Sequence, residues 1–468
     1  MSKVVKSNKI GFKISQKIVL LMVFSIILLA PLILNYYQDR SLIIGKESYF
    51  NLAQANQMNL SNWYNYPFYM IKLIIPESFL MFIPIVLSIM IVLLFLNLAE
   101  KLEMENKLTS IFLLLLALCP STILVLAGLS AYSLFLIFSL SGFLLLQRKD
   151  KWSGYLAILC FILATFIDTA SGILLLIFQA IYFFKVKDTQ RINKNYYENK
   201  NPKTINLRII SITTISIILA TLVLKIPLFI GPFHAQQSFN DFISDLGSFS
   251  GMSVFLLILF LMGLILTWKH KDYWIYIPLA FSLALTFSNT YFIFFLVIII
   301  AFLAVKGGLI LWEKEWNLPE LKTFTFLLII LGLAFSTITY VDRLSQSSVS
   351  SAEMEALNWI GDNSPQDAII LSLPENGETI SYFAQREVVY SFQQKSGLKY
   401  LDRTPPLFKF DYIKDLFPEL EKEKIHYLYI TQKMREDLPA DRGLLYLLKN
   451  ERFKLAYSSE GAEAWVFE

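Results

Sequence analysis

Residues 36–58 read YYQDRSLIIGKESYFNLAQANQM, and they follow directly on an apolar run at roughly 18–36. Asp39, Arg40, Lys46 and Glu47 fall within a few residues of one another, with Tyr36, Tyr37, Tyr49 and Phe50 among them. From here to about residue 340 almost everything is apolar run or short connector. An acid at such a surface is uncommon enough to be a candidate for chemistry, and Glu47 leads the candidates.

Of 468 residues, 55% are hydrophobic and 17% charged, against about 25% charged in soluble domains. Several apolar runs reach the roughly 18 residues needed to cross a bilayer. The fold class expected is a polytopic α-helical membrane protein. The net charge of +4 comes from basic connectors, a topology signal rather than a nucleic-acid footprint. The two cysteines, Cys119 and Cys160, lie inside apolar runs, and the three histidines, His234, His270 and His426, are scattered. No Cys/His spacing suits a metal.

The Lys-rich start (Lys3, Lys6, Lys9, Lys13, Lys17) reads as an uncleaved anchor with a cytoplasmic N-terminus. Residues 37–78 then form the first external segment. Residues 108–147 read as a hairpin of two spans turning near Gly128 to Tyr132, and 152–186 as another with Asp168 at its outer turn. The connector 185–208 carries seven Lys/Arg against two acids, the strongest cytoplasmic marker. A second external segment, 227–249, contains His234, Asp241 and Asp245. About eleven spans end near residue 341. The division expected is therefore 1–341 for the membrane domain and 342–468 for an extracytoplasmic domain. In the latter, helix Ser351–Asn363, strand Ala368–Leu373, helix Glu378–Gln385 and strand Val388–Phe392 lead to a looser stretch. Strands at Ile425–Ile430, Phe453–Tyr457 and Ala464–Phe467 and a helix near Arg442–Lys449 complete an α/β pattern. Walker, GxGxxG and GxSxG motifs are absent.

An acid just after the first span, many short hairpins and a C-terminal α/β domain together resemble the GT-C superfamily of membrane glycosyltransferases. Glu47-Ser48-Tyr49-Phe50-Asn51 is similar to the D-P-Y-F-x segment of oligosaccharyltransferase catalytic subunits. Residues 356–392, ALNWIGDNSPQDAIILSLPENGETISYFAQREVVYSF, resemble the start of their C-terminal domain, and the closing ERFKLAYSSEGAEAWVFE resembles its last strands. Leu373-Pro374-Glu375-Asn376-Gly377 stands where those subunits have Trp-Trp-Asp-Tyr-Gly.

The resemblance implies transfer of a sugar or glycan from a dolichyl or polyprenyl (di)phosphate carrier to a protein or glycan acceptor at the outer face of the cell membrane. It implies Glu47 and Asp168 as catalytic acids. Asp39, Glu47 and Asp168 would be ligands of a divalent metal, Mg or Mn. Arg40, Lys46, Tyr49, Asn51, His234 and Arg386 would contact substrate or phosphate. The chemistry is consistent: such transfer needs a base, positive charge against the departing phosphate and a site at the bilayer surface. Plainer readings stand beside these. Lys46 can simply neutralise Glu47, Asp39 and Arg40 can be an exposed pair at a helix end, and Asp168 can cap a helix. Arg386 can pair with Glu387 or Glu378. Two other functional classes fit less well: a non-catalytic scaffold or binding subunit, and a transporter of lipid-linked glycans, for which repeats and mid-membrane charges are expected.

Overall fold

The computed structural model describes residues 14–56, 66–148, 151–192, 202–219, 221, 243, 251–269, 273–287, 292–391 and 405–467. The membrane part begins with α1 (Ile14–Tyr37), α2 (Lys46–Asn56) and α3 (Tyr66–Ile74). A 3-10 turn at Glu77–Phe82 runs into α4 (Ile83–Lys101), followed by α5 (Asn106–Ala117), α6 (Pro120–Leu126) and α7 (Ala131–Leu146). Then come α8 (Lys151–Ile167), α9 (Thr169–Ile192), α10 (Pro202–Ile218), α11 (Val254–Lys269), α12 (Tyr276–Thr286), α13 (Ile293–Glu313) and α14 (Pro319–Gln346).

Among the described residues four helices are long and apolar enough to cross a membrane, or five if the bent pair α5 and α6 counts as one. Six apolar helices are shorter. The α5–α6 pair corrects the simple hairpin expected over 108–147. Proline disfavours helical backbone at the residue before it; Cys119 is accordingly extended, Pro120 opens α6, and the axis turns by 77°. The centre of the bundle is α13, whose apolar window is 67% buried against 28% for α1 and α14. Helix α11 crosses it at two facing glycines. A Cβ on Gly263 would stand 1.9 Å from the Leu303 carbonyl oxygen, and one on Gly307 would stand 2.3 Å from that of Leu259.

Past α14 the C-terminal part holds α15 (Ser351–Asn363), β1 (Ile369–Leu371), α16 (Gly377–Phe383), β2 (Glu387–Val388), α17 (Ile413–Lys422), β3 (Ile425–Thr431), α18 (Gln432–Asp437), α19 (Gly443–Leu447), β4 (Phe453–Ser458) and β5 (Ala462–Phe467). The sheet order is β2-β1-β3-β5-β4; β1 is parallel to β2 and β3, and β5 is antiparallel to β3 and β4. The alternation of strand side chains sorts the core into two layers. Ile370, Tyr429 and Ala464 pack with Leu357 and Ile360 of α15 and Ile380 of α16. Leu371, Leu428 and Ile430 pack with Leu416 and Leu420 of α17 and Met434 of α18. Helices α17 and α18 fall in and after the stretch expected to be loose.

Two joints hold this layer to the bundle. Ser350 caps α15 in a reciprocal box with Glu353. The residue pair Arg40–Ser350 forms an isolated antiparallel bridge, and buried Asn35 donates to the Ser41 carbonyl (2.7 Å) and to Ser348 Oγ (3.0 Å). The second joint is α2 against α16: the Tyr49 ring lies 5.6 Å from those of both Tyr382 and Phe383.

Overpacking a core costs about 1–3 kcal/mol, more where backbone must yield. Gly263→Ala is therefore expected to lose about 3 kcal/mol of stability. Gly154→Ala, with nothing within 4 Å of the added Cβ, should gain a few tenths from its helix propensity. Thermal unfolding of the purified variants in detergent reads the contrast.

Candidate functional site

Helix α2 is short and not hydrophobic enough to form a span of its own; Leu52 and Ala55 bury it in the bundle core, and side-chain hydrogen bonds fix it against the α6–α7 turn. Ser48 and Asn51, one turn apart, share a face and grip a single residue of the α6–α7 turn. Ser48 Oγ accepts from the Leu129 N–H (2.8 Å), and Asn51 Nδ2 donates to the Leu129 carbonyl (2.7 Å). Ser48 also donates to the Ile44 carbonyl. The approach is close enough that a Cβ on Gly128 would meet the Ile44 carbonyl oxygen at 2.9 Å and Ser48 Oγ at 3.0 Å.

This clamp delivers Glu47 to the start of α7. Glu47 Oε1 accepts from Ser130 Oγ (2.9 Å) and from the Ala131 N–H (3.2 Å). A carboxylate at a helix N-terminus is favoured by the orphan N–H groups and the helix dipole. Asp168 occupies the matching place on α9, where Oδ2 accepts from the Ser171 N–H (2.8 Å). Both acids are buried, Glu47 to 7% and Asp168 to 1% exposure. Each keeps one buried oxygen, Glu47 Oε2 and Asp168 Oδ1, with no hydrogen-bond partner. Two helix N-termini thus each fix one carboxylate and leave half of it uncommitted.

Burial pushes the Glu47 carboxyl up to about 7, against the opposing pull of Ser130, Ala131 and, least, Asn51, and the Asp168 charge adds to the rise. The two acids therefore sense each other. Among the described residues no group of three or more His, Cys, Asp or Glu gathers to hold a metal. Two buried carboxylates, each with an uncommitted oxygen, offer hard oxygen donors of the kind that suits Mg or Mn when water and phosphate oxygens complete the shell.

The other residues singled out from sequence lie elsewhere. Asp39, in a left-handed conformation at φ 52°, accepts from Ser351 Oγ (2.8 Å) through Oδ2 and from the Ser351 N–H (3.1 Å) through its carbonyl. Arg40 Nη1 donates to the carbonyls of Gln346 (2.9 Å) and Ser348 (3.0 Å). Both residues thus bind the α14–α15 joint. Lys46 lies beside Glu47 in sequence but reaches Glu375 at 3.4 Å, which Lys433 also approaches at 3.3 Å. The Lys46 charge holds the Glu375 carboxyl below its usual range, so the Leu373–Gly377 turn sits at the rim of α2. Tyr49 donates to the Ile43 carbonyl (2.9 Å).

Arg386 makes neither of the ion pairs weighed for it. All five of its N–H groups go to Ser364 Oγ and the carbonyls of Gly361, Ser364, Ala384 and Gln385, tying the end of α15 to the end of α16. His234 lies outside the described residues, as does all of 227–249 except Ile243.

Ser130, Ser48, Gly128 and Ser171 were not given site roles from sequence, although Gly128 and Ser130 fall in the turn expected near Gly128 to Tyr132. Ser130 did carry a signal: a serine immediately before the apolar run 131–146 is a helix start.

An apolar cavity of about 530 Å³ lies between α4, α7, α9 and α13; Phe135, Leu140, Phe143, Leu174, Phe178 and Tyr182 line it. It is walled by the two helices whose first turns hold the acids.

No protein-family model matches the sequence, and no curated protein matches it. Solved structures match in fold. An oligosaccharyltransferase from Archaeoglobus fulgidus, tethered to an acceptor peptide containing the NVT sequon, aligns with a TM-score of 0.57 at 13% identity, over 98% of this chain and 74% of that one. The same enzyme in complex with Zn and sulfate aligns with a TM-score of 0.54 at 14% identity, over 96% and 73%. The Archaeoglobus fulgidus oligosaccharyltransferase AglB, in complex with an inhibitory peptide and a dolichol-phosphate, aligns with a TM-score of 0.52 at 13% identity, over 90% and 70%. The chain shares the fold of these oligosaccharyltransferases.

Glu47 yields a test of the site that does not depend on function. Its folded pKa of about 7 exceeds the ordinary 4.5, so the folded state retains a proton that the unfolded chain loses. The associated stability is fully present below about pH 4.5 and is lost as pH rises through 7, a penalty on the order of 3 kcal/mol. Glu47→Gln should therefore melt higher than the wild type at pH 8, and the gap should close by pH 4.5.

Proposed function

We propose that the chain is a multi-pass membrane glycosyltransferase. It transfers a sugar or glycan from a polyprenyl-(di)phosphate carrier to a protein or glycan acceptor at the outer face of the cell membrane. Eleven crossings follow if the six shorter apolar helices span as well as the five long ones, counting the bent pair once. The N-terminus is then cytoplasmic and the domain at 342–468 extracytoplasmic. The observation that carries the proposal is the acid pair: two buried carboxylates, each anchored by one oxygen at a helix N-terminus and each with the other oxygen uncommitted.

Surface acids of ordinary pKa are poor bases at neutral pH, whereas one raised to about 7 is matched to accepting a proton from an acceptor hydroxyl or amide. Glu47 takes that proton on Oε2, and the Ala131 N–H and Ser130 hydroxyl keep the carboxylate from turning away. Asp168, fixed at the head of α9, flanks the same space. Alternatively, in place of the base role, Glu47 and Asp168 would together hold a divalent cation such as Mg or Mn through their uncommitted oxygens, which would offset charge on the departing phosphate. The apolar cavity between α7 and α9 accepts the isoprenoid tail of the carrier, so the phosphate is presented near the helix N-termini, where anions are favoured.

The deciding experiment is transfer of labelled sugar from total membrane lipid extract by the purified full-length protein, with Mg or Mn supplied, beside Glu47→Gln and Asp168→Asn. The wild type should transfer sugar, and Glu47→Gln should lower kcat about 100-fold or more while the protein stays folded. Equal rates in Glu47→Gln and wild type would remove Glu47 from the chemistry. A folded wild type that transfers nothing across metals and acceptors would replace the enzyme by a scaffold or binding subunit.

A further inference from the structure

We infer that Ser130 is a positioning residue that determines which oxygen of Glu47 faces the reaction space, an inference that rests on the glycosyltransferase reading above. Ser130 stands immediately before α7 with extended backbone, and its Oγ accepts from the Tyr132 N–H at 3.2 Å. That bond is an ordinary helix cap. It occupies a lone pair of the hydroxyl and leaves one proton to place. The proton goes to Glu47 Oε1 at 2.9 Å, the same oxygen that takes the Ala131 N–H. Two donors converging on Oε1 leave Oε2 as the oxygen presented, and Oε2 is the one without a partner.

The terminal torsion of a glutamate is soft and nearly two-fold. With the Ala131 N–H alone, at 3.2 Å, either carboxylate oxygen can take the bond. Ser130 breaks that symmetry. The requirement differs from that of a cap: Asp and Asn cap as well as Ser, but only a hydroxyl both accepts from Tyr132 and donates to Glu47 through one atom. Ser130 is 1% exposed and Glu47 7%, so the bond is made in a desolvated setting, where orientation is costly to disturb.

The test uses full-length wild type, Ser130→Ala and Ser130→Thr in nanodiscs, with two readouts. Electron paramagnetic resonance measures Mn(II) affinity without donor, and transfer kinetics separate kcat from the donor KM. Loss of the hydroxyl should weaken Mn(II) binding about tenfold or more, the scale on which residues that orient metal ligands act. It should also lower kcat with KM unchanged, and Ser130→Thr should restore both. Melting temperature should fall in Ser130→Ala in either case, because the cap is lost. A Ser130→Ala protein that melts lower but equals wild type in Mn(II) affinity and kcat overturns the inference and leaves Ser130 a cap. Wild type that binds Mn(II) but transfers from no donor overturns the glycosyltransferase reading, while the Mn(II) comparison still decides Ser130. If transfer proceeds without Mn(II) binding, kcat decides it. A wild type that does neither overturns both.

Discussion

The pair of hydrogen bonds from Ser48 and Asn51 to the two backbone groups of Leu129 is the constraint on which the site depends. Backbone N–H and C=O groups buried in a turn need partners, and here no neighbouring strand or helix supplies them. Two side chains of a short helix do so instead. The exchange is mutual. The turn is satisfied by α2, and α2, whose Leu52 and Ala55 are buried in the bundle core, is fixed in place by the turn. Glu47 and Ser130 meet as a result of that match, and Gly128 is small because the match is tight. Burial of the carboxylate, its raised pKa and its orientation all follow from the same contact.

Asp168 reaches the same condition by a different route. It requires no clamp, since its own helix begins at the next residue and Ser171 offers its N–H. The capping role weighed for it from sequence is real, yet it engages one oxygen only. A cap and an uncommitted carboxylate oxygen are therefore not exclusive here: the helix end provides the fixing, and burial keeps the other oxygen from water. By contrast Asp39 and Arg40, which looked equally placed in the sequence, are committed to the joint between α14 and α15.

What could be read from the sequence was what local chemistry decides. The bounds of α15, Ser351–Asn363, were legible because a Ser350–Glu353 capping box marks the start and Ser364-Pro365 the end. Four of the five strand positions were legible from runs of β-branched and aromatic residues, whereas the second, expected at Val388–Phe392, is the short Glu387–Val388. The break at Pro120 was equally local but was hidden by continuous hydrophobicity on either side. Helix α17 was obscured by Pro418 within it and is held by Leu416 and Leu420 against the sheet. Arg386 illustrates a further limit. Its neighbours in sequence are acids, yet five carbonyl and hydroxyl acceptors brought by the fold take its donors. The partnership of Glu47 with Ser130 spans 83 positions, and no periodicity or propensity connects them.

Helix α2 has two working faces. One presents Glu47 to α7, and the other carries Tyr49 against Tyr382 and Phe383 of α16. The 335 residues separating Glu47 from Tyr382 are also an interval in time. At roughly 5–20 residues per second, synthesis delivers α16 on the order of half a minute after α2 has been made. Throughout that interval the face of α2 bearing Tyr49 lacks its cover, and the newborn protein holds its acid on a helix secured from one side only. Synthesis of α16 is thus the step that covers the second face of α2, and a ribosome that stalls before it leaves a bundle in which the Glu47 helix is secured on one side only.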